Sequence, residues 1–162
     1  MGGAPDDFRR TVEQCILMEL QAMTLYTILA NRVEDSEAAR ILRYLAESEE
    51  SHVGRVADIF SSLGEAAGPA LSRIDVIKAY GGEAWSRYRA RVAAAGLSDA
   101  SSADDFLAFA LSNETEAQTR YERLAGDAAD LRLQTAFRLL AREEAGHAEN
   151  VARIRRLLKG GG

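Results

Sequence analysis

Cysteine is almost missing: Cys15 is the only one in 162 residues, which excludes an internal disulfide and any metal knuckle built on paired cysteines. A reducing compartment is expected. Proline is as scarce, with Pro5 and Pro69 alone, so very little interrupts helix. No long apolar run exists either. The longest charge-poor stretch, Gln14 to Asn31, is broken by Glu19 and carries Gln, Thr and Tyr, so no transmembrane segment is expected. The opening Met-Gly-Gly-Ala-Pro-Asp-Asp has no basic region before an apolar run and no Ser or Thr where a myristoylation signal needs one, and a cytoplasmic location is expected. An excess of positive charge is missing too. Lys and Arg number 20 against 25 Asp and Glu, a net charge of −5, so the chain repels phosphate backbones and anionic lipid surfaces; neither nucleic acid nor a membrane is expected as a partner.

What remains is a globular composition, 47% hydrophobic and 28% charged, favouring an all-helical protein. Glycine divides it. Only Gly54 falls between Pro5 and Gly64, five glycines fall in 64–96, and only Gly126 and Gly146 precede the tail at Gly160. Apolar residues recur at steps of three and four through Val12, Cys15, Ala22, Tyr26 and Leu29, and again through Leu42, Leu45, Val56, Ile59 and Leu63, predicting two amphipathic helices. Asn31 to Asp35 has the composition of a turn, with Asp35 the expected N-cap of the second helix. The pattern returns. Leu107, Ala110, Ala117, Tyr121 and Leu124 precede the candidate cap Asp130, and Phe137, Leu140, Val151, Ile154 and Leu158 follow it. A shift of 95 aligns the halves without a gap, pairing Tyr26 with Tyr121, Asp35 with Asp130 and Leu45 with Leu140, so the chain is an internal repeat of helical hairpins. Residues 64–102 are too many for a tight connection, usually about 2 to 8 residues in bundles, and imply a crossover along the bundle. Helical spacing in Pro69–Tyr80 and Glu83–Ala95 predicts two short helices there, anchored by Trp85 and Tyr88 as packing aromatics.

The stripes contain positions filled by groups that do not belong in a core. Glu19 interrupts the first, Glu49 and His52 the second, Glu114 the third, Glu144 and His147 the fourth, and these are the only two histidines in the chain. Four buried carboxylates would repel one another and resist ionisation unless something positive sat among them. Their heights agree. The midpoint of 19 and 49 and that of 114 and 144 both fall in predicted turns, so each Glu lies about 15 residues, roughly 22 Å of helix, from the same end of its hairpin. A Glu and a His three apart share one helix face. One Glu from each of two helices plus Glu-x-x-His from each of the other two is the donor set of di-iron and di-manganese carboxylate bundles. Four carboxylates also neutralise two divalent ions. Iron or manganese suits such oxygen and imidazole donors, whereas zinc would bind without redox cycling. Tyr26 and Tyr121, two turns beyond Glu19 and Glu114, could hydrogen-bond a ligating carboxylate across the bundle. Glu13, Glu47, Glu50, Glu116, Glu143 and Glu149 fall off the stripes and read as solvated charges, and Cys15 as a small buried apolar residue.

With Glu19-Leu-Gln-Ala22-Met-Thr-Leu-Tyr26 and two Glu-x-x-His motifs, the sequence resembles the rubrerythrin branch of the ferritin-like superfamily over roughly 10–63 and 103–158. The resemblance implies one domain over 1–162, an all-α, ferritin-like four-helix bundle of two repeated hairpins (about 8–63 and 103–158) joined by a long, partly helical crossover (64–102). It implies a di-iron centre reactive toward peroxide or dioxygen, with Glu19, Glu49, His52, Glu114, Glu144 and His147 as ligands. Glu49 and Glu144 would bridge the ions. Ala117 stands one turn after Glu114, where rubrerythrins usually carry a further Glu, and no rubredoxin-like module is present, so an external donor, rubredoxin-like or a flavoprotein, is expected. A homodimer is expected. The alternatives are a ferroxidase or iron-handling protein, or a non-catalytic bundle stabilised by metal.

Overall fold

The computed structural model describes residues 5–63 and 72–160, and among them five helices and no strand. Helices α1 (Pro5–Ala30) and α2 (Ser36–Ser62) form one hairpin, and α4 (Ala103–Asp127) and α5 (Leu131–Gly160) form the other; α3 (Arg73–Ala94) joins them. The two expected caps act as such. Asp35 accepts from the Ala38 amide at 2.7 Å, and Asp130 from the Arg132 and Leu133 amides at 2.7 and 3.2 Å, satisfying donors that a helix start leaves free. Ser102 and Asp105 close a reciprocal capping box on α4.

Within each hairpin the helices pack along their length; across hairpins α1 meets α4 and α2 meets α5. The core comes in two parts. One gathers Val12, Ile16, Val56 and Phe60 from the open end of the first hairpin with Leu124 and Phe137 from the turn end of the second. The other joins Leu29, Ile41 and Leu42, near the first turn, to Phe106, Leu107 and Ile154. The hairpins are therefore antiparallel, their turns at opposite ends, and the chain must travel the length of the bundle between α2 and α4. Each fully buried aliphatic or Phe side chain contributes roughly 1.5–3 kcal/mol. Glu19, Glu49, His52, Glu114, Glu144 and His147 are buried as well and belong to neither part.

The crossover differs from expectation. One helix runs from Arg73 to Ala94, through Gly81 and Gly82, where two short helices were expected. The stripe Val76, Tyr80, Ala84 and Tyr88, spaced four apart, passes either side of the glycines and lies against the core, and the Tyr80 hydroxyl donates to Glu13 of α1 at 2.9 Å. That packing offsets the roughly 1 kcal/mol each glycine costs against alanine. Tyr88 is buried as expected, whereas Trp85, stacked on it, keeps 48% of its surface exposed. The expected helix start at Pro69, with the rest of 64–71, lies outside the described residues. No described helix is long and apolar enough to cross a membrane.

Candidate metal centre

The helices bring the six predicted side chains to one level: Glu19 from α1, Glu49 and His52 from α2, Glu114 from α4, Glu144 and His147 from α5, none more than 4% exposed. One donor atom from each of Glu49, His52, Glu144 and His147 lies within 4.8 Å of the others. Both imidazoles turn Nδ1 inward. That of His52 is 2.9 Å from Glu144, 3.1 Å from Glu49 and 3.5 Å from Glu19. That of His147 is 2.8 Å from Glu49, 3.1 Å from Glu144 and 3.7 Å from Glu114. Glu49 and Glu144 thus face both imidazoles, whereas Glu19 and Glu114 each face the one from their own hairpin.

These close approaches are not hydrogen bonds in direction. Both oxygens of Glu49, both of Glu144, and Nδ1 of His52 and His147 are buried with no hydrogen-bond partner. Buried polar groups are normally satisfied, and six orphans aimed at one small space are the mark of a site whose partner is a cation. Oxygen and imidazole donors suit a first-row transition metal.

The protons carry the same message. Burial pushes the Glu19 carboxyl well above its ordinary range, reinforced by the charges of Glu144 and Glu49; burial does the same to Glu114. Burial alone would also raise Glu49 and Glu144, yet the adjacent imidazoles hold both below the ordinary range. Burial would lower the two histidines, but the surrounding carboxylates override it: His147 is pushed up to about 12 and His52 upward as well. Without metal the imidazoles serve as the cluster's cations.

Tyr26 donates its phenol proton to Glu114, and Tyr121 donates its own to Glu19, so each hairpin's tyrosine holds the other hairpin's carboxylate. Both phenols are fully buried, and burial, then the nearby carboxylate, holds each pKa well above the ordinary value.

The family model described as Rubrerythrin matches residues 11–92 and 105–161. The chain belongs to the rubrerythrin family. No curated protein and no solved structure matches it. The matched residues include all six members of the cluster, which is compatible with the di-iron site of rubrerythrins.

Three residues around the cluster escape the stripe argument. Glu143, read as a solvated charge, places a carboxylate oxygen 2.9 Å from Nε2 of His52 and accepts from Arg55. Ser48 Oγ lies 2.9 Å from Nε2 of His147. The signal was available in the repeat: Ser48 and Glu143 are equivalent under the shift of 95, each a hydrogen-bonding residue four positions before a histidine. Other excluded glutamates stay peripheral, Glu116 pairing with Arg91 and Arg120, and Glu50 with Arg73. Cys15 lies in the apolar core, its thiol pushed up to about 12 by burial and then by Glu19.

Proposed function

We propose that this rubrerythrin holds two iron ions between Glu19, Glu49, His52, Glu114, Glu144 and His147 and reduces peroxide, with dioxygen as the alternative oxidant. The supporting observation is a cleft between α1 and α4. It touches Glu19, Glu49, Glu114 and Glu144 but neither histidine, and its volume is about 20 Å³. A cavity of that size admits about one water-sized molecule, which supports a small oxidant such as peroxide or dioxygen.

When bound, the iron pair supplies the two electrons that peroxide reduction consumes, and an external donor of the rubredoxin-like or flavoprotein class restores them. The chain's own residues do the rest. Glu49 and Glu144, each of which faces both imidazoles, would be the carboxylates shared by a metal pair. Glu19 and Glu114 each serve one side, held by a phenol proton that keeps a carboxylate oriented when its charge environment changes. Ala22 and Ala117, with Met18, Gln21, Asn113 and Arg91, complete the lining of the cleft. Arg91 reaches across from α3 to donate to Asn113 and Glu116, so the crossover helix forms part of the cleft wall.

Elemental analysis of the metal content per chain, followed by optical spectra of the anaerobically iron-loaded protein before and after one equivalent of peroxide, tests the reading. About two irons and a rapid spectral change are expected, with turnover sustained by an external reductant at substoichiometric iron. Iron that leaves after a single oxidation would move the protein to the ferroxidase class. A chain that binds metal but stays inert toward peroxide is a metal-stabilised bundle, and the proposal fails.

A further inference from the structure

The cluster is nearly symmetric under the repeat, but what stands behind its two imidazoles is not. Nε2 of His52 faces the carboxylate of Glu143, itself paired with Arg55, whereas Nε2 of His147 faces the hydroxyl of Ser48, both at 2.9 Å. Under the shift of 95, Ser48 corresponds to Glu143 and Arg55 to Asn150, so each hairpin lacks the member of the pair that the other provides.

The difference acts on the Nε2 proton. An imidazole that offers Nδ1 to a cation must keep its proton on Nε2, and a carboxylate there accepts that proton in a charge-assisted bond and permits no other arrangement. The Arg55 guanidinium donates to Glu143 and keeps it aimed. A serine hydroxyl is less committed. It accepts from Nε2–H as a neutral partner, so the proton that a metal-bound His147 keeps on Nε2 is held by a weaker bond than that of His52.

We propose that Glu143 is a positioning residue that makes the metal position of Glu19 and His52 the tighter of the two, so that the chain loads its ions in sequence, first beside His52 and then beside Glu114 and His147. This rests on the reading of the cluster as a two-metal site. It adds that the two positions are unequal and names the group responsible.

Zinc titrated into the metal-free full-length chain against a chromophoric chelator is the test, with imidazole NMR in parallel. Because His52 and His147 are the only histidines, the two rings are assigned by one substitution. Two steps separated by about 10- to 100-fold in affinity are expected, with the His52 signals shifting at the first equivalent and those of His147 at the second. Glu143→Ser should weaken the first step until the two coincide, and Glu143→Asp should restore part of the separation. Ser48→Ala should weaken only the second step. A merely structural role for Glu143 would lower the thermal stability of the metal-free chain without changing the order of loading. Two equal steps, or His147 filling first, overturn the inference and leave the metal centre standing; a chain that takes up no zinc overturns both.

Discussion

Loading the cluster with two divalent ions should expel about four protons, because a buried group of charges must stay close to neutral with or without metal. In the metal-free chain both imidazoles are raised into the protonated state and Glu49 and Glu144 are held ionised, while Glu19 and Glu114 are raised and protonated at low enough pH. Two cations then face two anions. In the loaded chain four carboxylates balance two divalent ions and both imidazoles are neutral, so two protons leave the histidines and two leave Glu19 and Glu114. The sign follows: protons and metal compete, so affinity falls as pH falls. With four protons exchanged for two ions, the apparent affinity per ion drops about 100-fold for each unit of acidification. As pH rises through the raised values of Glu19 and Glu114, the release falls toward about two. Calorimetric titration of zinc at about pH 6 in buffers of different ionisation enthalpy gives the proton count directly. Release of fewer than two protons would mean that the histidines are neutral before metal arrives, and would refute the charge balance described for the metal-free cluster.

Replacing both Glu49 and Glu144 with Ala removes the two carboxylates that face both imidazoles; two-metal binding should vanish in elemental analysis while helical circular dichroism is retained, because buried charge leaves with them. Tyr26→Phe, or Tyr121→Phe, strands a buried carboxyl and should cost the metal-free chain about 1–3 kcal/mol in denaturant unfolding, with the metal stoichiometry unchanged. Cys15, fully buried and with its thiol near 12, should resist thiol reagents at about pH 8 and react once the chain is unfolded; rapid labelling of the native protein would contradict its placement. Asp35→Ala should lower stability by about 1 kcal/mol through loss of the α2 cap, with no change in metal uptake.

The repeat made the bundle and its polar layer legible, because helical spacing leaves a polar group in a core stripe nowhere to go but inward, and equal distances from two turns place such groups at one height. That Tyr26 and Tyr121 could reach a carboxylate across the bundle was legible in the spacing; that Tyr121 takes Glu19 and Tyr26 takes Glu114 came from the structure. Glu143 did not. It sits beside the stripe, half exposed, and becomes part of the site only because His52 reaches it from another helix, a relation that spacing along one helix does not encode. The crossover was misjudged for a related reason: Gly81 and Gly82 weaken a helix on its own, and it is packing on α1, through Tyr80 and Ala84, that carries α3 through them.

Contacts in this fold are lopsided, dense within each hairpin and sparse between the two. Local contacts form quickly, so each hairpin can assemble on its own, and the slow step is docking one against the other around a layer of unpartnered charge. An ion held by donors from both hairpins then behaves as a rivet: it adds little to the speed of assembly, since its donors converge only late, but it must be broken before the halves can part. The metal's effect should therefore appear chiefly as a longer lifetime of the folded chain.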